Sequence, residues 1–216
     1  MQAARGAGLP TVALLTDMNQ VLGDACGNAL EVAEAVAFLQ GTRREPRLLE
    51  VTRTLSAELL LLGGLAPDST QALQRVDAAL ASGAALEHFA RMVAALGGPS
   101  DFAERAAHYL PGAPVQLPVL APRGGRIGAM ATRDIGLLVI ELGGGRRQAS
   151  DRVDPRVGFS ALAHLGQTVQ AGQVMAVVHA ADTSAAQRAG DCLLSLITVT
   201  DDAAAAQPVL IERLEA

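Results

Sequence analysis

The sequence predicts a mixed chain, α/β and then α+β, in two parts: residues 1–110, with one strand and several helices, and a compact module over 111–216. Three observations predict it. The β-branched apolar run Pro10 to Leu15 reads as a buried strand. Apolar residues at helical spacing, in stretches ended by glycine, follow it as far as Leu96. From Pro111 the texture changes: Pro114, Pro118 and Pro122 punctuate short strand-like runs, and Gly124, Gly125 and Gly128 signal turns.

The first helix is expected from Asn28, with Leu30, Val32, Ala35, Val36 and Leu39 on a broad apolar face and Gly41 as its stop. Asn28 with Glu31 three residues on forms a variant capping box: the Asn oxygen takes a first-turn N–H while Glu31 reaches back. Pro46 opens the next helix, which Gly63-Gly64 ends. Ser69 caps a third, carrying Leu73, Val76 and Leu80, with Gly83 after it. Leu86, Phe89, Met92, Val93 and Leu96 mark a fourth, closed by Gly97-Gly98. In the second part, Thr132 to Leu142 is a short helix and Gly143 to Arg147 a loop. Val157 to Phe159, Gln167 to Val169 and Val174 to His179 are strands. Ser184 to Leu194 is helical, and Pro208 to Arg213 is a last strand.

Composition limits the chemistry. All 17 basic residues are arginine, and there is no lysine. No side chain can form a Schiff base, carry biotin or lipoate, or act as a P-loop lysine. Aromatic residues are 2% of the chain, with no Trp, so base-stacking platforms for single-stranded nucleic acid are not expected. The net charge of −5 argues the same way. Cys26 and Cys192 are too few for a disulfide framework. His88, His108, His164 and His179 have no metal-type spacing. Cys192 is expected in the core, on its helix. Apolar runs break well before the ~18 residues of a membrane span, and the start of the chain has no apolar signal region, so the expected location is cytoplasmic.

Two features could carry a site. Gly143, Gly144, Gly145, Arg146 and Arg147 could cradle an anion on backbone N–H groups and guanidinium groups; the alternative is a helix C-cap followed by a plain loop. Glu31 and Glu34 share a helix face and could form a carboxylate pair; the cap accounts for Glu31, and the alternative for Glu34 is an exposed helix carboxylate. Gly166 to Ala176 has the form G-x-x-V-x-x-G-Q-x-[LM]-A, which resembles the strand–turn–strand of biotinyl- and lipoyl-type barrel-sandwich modules. The missing lysine excludes the carrier function.

Three stretches, in this order, resemble the pyrimidine-nucleoside phosphorylases, most closely their thymidine-cleaving bacterial members. They are Val12 to Gly23 (VALLTDMNQVLG) running into Gly27 to Val32, then Gly143 to Asp151 (GGGRRQASD), then Val157-Gly158-Phe159 with Leu165 to Ala176. The resemblance covers nearly the whole chain from about residue 6. It implies that 1–110 is the last part of an α/β phosphorylase domain and that 111–216 is a C-terminal α/β-hammerhead, barrel-sandwich-like domain. It implies a pentosyltransferase that reversibly converts thymidine and phosphate into thymine and 2-deoxyribose 1-phosphate, working as a homodimer of two-domain subunits that close over their substrates.

The resemblance reaches only the second half of the family's usual polypeptide. The phosphate loop, the set that holds the pyrimidine and most of the dimer interface belong to the missing N-terminal half. No catalytic or substrate-binding residue carries over, and the strand 10–15 is expected to lack its sheet partners. No cofactor is implied. Some members bind K⁺ through two backbone carbonyls and a carboxylate, which fall here on Leu22, Ala25 and Glu34. The Gly143–Asp151 loop matches the family's mobile loop, with a conformational part in closure. Two functional readings follow: a segment of such a phosphorylase, inactive alone, or a stand-alone, non-catalytic binding or assembly module.

Overall fold

A computed structural model describes residues 2–202 and 207–215. Its elements, in chain order, are α1 (Gln2–Gly6), β1 (Val12–Thr16), α2 (Asn28–Gln40), α3 (Pro46–Leu62), α4 (Ser69–Ala81), α5 (Ala84–Ala95), α6 (Phe102–Tyr109), β2 (Val115–Leu120), β3 (Gly125–Met130), α7 (Thr132–Glu141), β4 (Gly158–Ser160), β5 (Thr168–Val169), β6 (Val174–Ala180), α8 (Thr183–Leu196), β7 (Ile197–Thr200) and β8 (Leu210–Glu215). They form two compact units that are not sequential. One comprises Met1–Asp17, Ala37–Ala103 and Gln207–Ala216; the other comprises Met18–Val36 and Glu104–Ala206.

The second unit holds the larger core. β6 is its central strand, paired antiparallel with β2 on one edge and β4 on the other. Its burial is nearly continuous, with Met175, Ala176, Val178 and Ala180 at 0% exposure. A strand covered on both faces needs apolar residues without alternation, and VMAVVHA supplies them. Pro118 sits in β2, the edge strand, opposite Val177; an edge tolerates the missing N–H. α8 packs on β2 and β6. Asp182 caps α8, accepting from the Ala185 N–H at 2.7 Å. A second antiparallel sheet has the order β5–β3–β7. Both sheets stay three-stranded and open, so the barrel-sandwich likeness stops short of a closed barrel. The architecture is the α+β expected for this part.

In the first unit, α3, α4 and α5 pack in sequence order. Two small clusters of buried residues lie there, Phe38, Val76 and Leu80, and Ala57, Ala66 and Ala72. Arg53 on α3 grips Asp77 on α4 with two hydrogen bonds, 2.6 and 2.7 Å. Glu45 caps α3 through the Leu48 N–H, with Pro46 in the first turn as expected. α4 is capped by Asp68, which accepts from the Gln71 N–H at 2.8 Å, and not by Ser69. Both residues are good N-caps; the extended backbone at Asp68 places its carboxylate over the first turn.

β1 is not left alone. It pairs antiparallel with β8, from Val12 opposite Glu215 to Thr16 opposite Leu210. Arg213 of β8 forms an ion pair with Glu58 of α3, and Arg47 donates to the Asp17 carboxylate at 3.0 Å. The strand expected over Pro208 to Arg213 therefore belongs to the first unit. β8 takes one edge of β1, and among the described residues the other edge pairs with no strand.

Phe159 is at 0% exposure in the large core, whereas Leu59 is 69% exposed on α3. Phe159→Ala is expected to cost about 3–5 kcal/mol through lost transfer energy and a cavity. Leu59→Ala should stay within about 0.5 kcal/mol, as surface changes do. Urea unfolding midpoints of the two variants check the contrast; similar shifts would place the main core elsewhere.

Candidate functional site

The segment 18–27, between β1 and α2, is built into the second unit by side chains that take up main-chain groups. The Gln20 side chain is buried and accepts from the Leu165 N–H at 3.0 Å. Asp24 is buried; its carbonyl accepts from the Leu162 N–H, and its carboxylate accepts from His164 Nε2 at 2.7 Å. Cys26 and Phe159 exchange two backbone hydrogen bonds, 2.9 and 2.8 Å, in an isolated antiparallel bridge. That bridge needs glycine at Gly158. Its φ is +147°, and a Cβ there would lie 2.1 Å from the Cys26 carbonyl oxygen.

The start of α2 differs from the expected capping box in one half. Glu31 does reach back, but to the Gly27 N–H, at 3.0 Å. The Asn28 side chain donates to the Gly144 carbonyl at 2.8 Å instead of capping. The helix begins one residue earlier in its capping frame, with Gly27 at φ +142° in the cap position. Asn28 thereby ties α2 to the 143–147 loop, 116 residues away.

Glu34 is not an exposed helix carboxylate. It is half-buried, and its Oε1 accepts from the Asp24 N–H at 2.6 Å. A Cβ on Gly23 would stand 2.3 Å from Oε2, so glycine leaves the room that the carboxylate fills. The carboxylate of Glu34 thus lies against the segment that carries Leu22 and Ala25. Carboxylate and main-chain carbonyl oxygens are the donor types that a hard monovalent cation takes, and Glu34, Leu22 and Ala25 carry such oxygens. Among the described residues no group of three or more His, Cys, Asp or Glu side chains is placed to hold a metal ion.

The 143–147 loop follows α7. Gly143 has φ +98°, and the Gly144 N–H returns to the Val139 carbonyl, a helix-terminating arrangement. The backbone N–H groups of Arg147 and Gln148 do converge on an anion, but that anion is the chain's own Asp151. Its Oδ2 accepts from both, at 3.0 Å each. Those N–H groups hold the Asp151 carboxyl below the usual carboxylate range, that of Gln148 contributing most. Arg146 donates to the Asp151 carbonyl. An aspartate four residues after Arg147, in a Gln-Ala-Ser-Asp turn, was a readable signal for this arrangement.

Of the remaining titratable groups, Ser160 Oγ lies 2.8 Å from His179 Nε2. Burial lowers the His179 pKa, which keeps the ring neutral and able to accept. Among the described residues no carboxylate is hydrogen-bonded to His179, so this pair lacks the third group of a nucleophilic triad. Cys26 is half-buried, and burial, aided by Glu31, pushes its thiol up to about 11. Cys192 is exposed on α8 rather than in the core, because Ala186, Ala189, Gly190 and Leu193 form the inward face of that helix. No described helix is long and apolar enough to cross a membrane.

Residues 126–200 match the family model of the pyrimidine nucleoside phosphorylase C-terminal domain. The matched span runs from β3 through β7 and includes α7, the 143–151 loop, β4, β6 and α8.

The Asp151 carboxyl has a lowered pKa in the folded chain, so its loop contacts are complete above the ordinary aspartate range and are lost as pH falls through the lowered value. The amide resonances of Arg147 and Gln148 should therefore titrate together, with a midpoint below that of an unperturbed Asp. Asp151→Asn should remove the transition. A midpoint at or above the ordinary value would contradict the contact.

Proposed function

We propose, for a chain that carries a pyrimidine nucleoside phosphorylase C-terminal domain, that it works as part of a thymidine phosphorylase. The reaction is reversible phosphorolysis. A phosphate oxygen bonds to C1′ of the deoxyribose as the C1′–N1 bond breaks, the electron pair leaves on the pyrimidine, and the base takes a proton. The products are thymine and 2-deoxyribose 1-phosphate. The supporting observation is the family match together with the segment 18–27, which begins Met-Asn-Gln and is hydrogen-bonded directly onto the matched domain through Gln20, Asp24 and Cys26.

The phosphate- and base-binding groups are supplied by an N-terminal half of the enzyme, and the active form is a homodimer. Two features of the first unit support a docking role for that half. β1 has an edge with no partner strand among the described residues. Leu55, Leu59, Leu62 and Leu65 are 40–69% exposed, in and beside an apolar groove of about 460 Å³ between α3 and α4. The 143–151 loop contributes by changing shape rather than by chemistry. Leu22 and Ala25, through their carbonyls, and Glu34, through its carboxylate, hold a K⁺ ion. The ion's part is to fix the segment before α2.

Thymine release from thymidine and phosphate, followed by absorbance, tests the assignment. The 216-residue chain should be inactive alone and should gain activity when mixed with the separately expressed N-terminal half of a full-length relative. Activity of the chain alone near a full-length rate, or none in the mixture, would overturn it. For the cation, replacing K⁺ by N-methylglucamine should lower the unfolding temperature, and Glu34→Gln should abolish the difference. An unfolding temperature indifferent to K⁺ would remove the site.

A further inference from the structure

α7 and α8 pack against one another within the second unit, and a cleft of about 270 Å³ opens between them and the 143–147 loop. That volume is just below the roughly 300–1,000 Å³ of sites for drug-sized ligands, so it suits a small molecule. Its walls are chemically divided. Leu138, Leu142 and Ala189 give it an apolar part, while Arg147 from the loop and Arg188 from α8 bring two guanidinium groups to the same space.

Both groups are available. Asp151 hydrogen-bonds to the Arg147 backbone N–H, and it acts on the guanidinium only through charge, as the last of the causes that lower its pKa. Arg188 donates through Nη1 to Ser184 one turn earlier, which steadies the side chain and leaves its other N–H groups. Neither guanidinium is ion-paired with a carboxylate among the described residues. Glu141 is the acidic residue in the lining, so the lining side chains carry a net charge of +1.

An arginine fork binds two oxygens of an oxyanion side by side. A carboxylate has only two oxygens and fills one fork. A phosphate monoester has three terminal oxygens and two negative charges, and so can engage both. We propose that this cleft binds a small organic phosphate monoester, its head between Arg147 and Arg188 and its carbon body on the apolar wall.

Cys192 lines the same cleft, is exposed, and reports on it directly. The other thiol, Cys26, is half-buried with its pKa pushed up to about 11, so it reacts slowly and serves as an internal control. Alkylation of Cys192 by iodoacetamide, a neutral reagent, is measured by peptide mass at constant ionic strength. Phenyl phosphate should slow alkylation at Cys192 and leave Cys26 unchanged. Inorganic phosphate and benzoate should protect less, since one lacks the apolar body and the other the third oxygen.

Arg147→Gln and Arg188→Gln should each weaken protection about tenfold or more, the usual effect of losing a hydrogen bond to a charged group. Glu141→Gln should strengthen it. Far-UV circular dichroism checks that the variants are folded, and the Glu141 variant reads the site even if an arginine variant is not. The proposal fails if phenyl phosphate gives no protection, if protection survives in the double arginine variant, or if benzoate protects equally well. It also fails if Glu141→Gln leaves protection unchanged.

Discussion

The burial of β6 is the constraint on which the second unit depends. A strand paired on both edges and packed under α8 has, beyond its exposed first residue, little solvent-facing surface on which to place a polar residue cheaply. VMAVVHA meets that demand with apolar residues throughout and one histidine, which burial keeps neutral and which Ser160 satisfies. β4 is only three residues long, yet it is pinned twice: by β6 on one edge and by the Cys26–Phe159 bridge beyond it. Gly27 and Gly158 meet back to back at that bridge, so the segment before α2 approaches the core more closely than any side chain would allow.

The charged groups follow one logic. Several acidic side chains are engaged by backbone N–H groups: Glu31 with Gly27, Glu34 with Asp24, Asp68 with Gln71, Asp151 with Arg147 and Gln148, and Asp182 with Ala185. They cap helix starts and shape loops. The arginines do the bridging between elements, as Arg53 does with Asp77 and Arg213 with Glu58, through forks that a lysine could not copy. An all-arginine chain is thus well equipped to hold elements together and to bind oxyanions. It has no side-chain amine that can lose its proton.

The candidate site draws on distant stretches. The segment 18–27 belongs to the part of the sequence that reads as α/β, but its hydrogen-bond partners lie in the module beyond residue 111. Glu34, Asp24 and His164 form one connected line from α2 through that segment to the loop before β5.

Helices α2 to α5, α7 and α8 and the strands β1, β4, β6 and β8 were legible because each is set by neighbours within a few residues: the spacing of Leu and Val, a Pro at a helix start, a Gly after its end. The absence of lysine was equally plain and excluded carrier and Schiff-base chemistry without any structure. The short helix α6 and the strand β7 carried too little periodicity to be read. Asp68 and Ser69 were both sound caps, and backbone direction alone chose between them. Tertiary structure decided everything that depends on residues far apart. β1 found β8 rather than a partner nearby, Asp24 met His164 140 residues on, and Cys192 turned outward because Ala186, Ala189, Gly190 and Leu193 form the buried face of α8. Local propensity records the shape of a segment, but which segments meet is a property of the whole packed chain, where burial and hydrogen bonding are satisfied together.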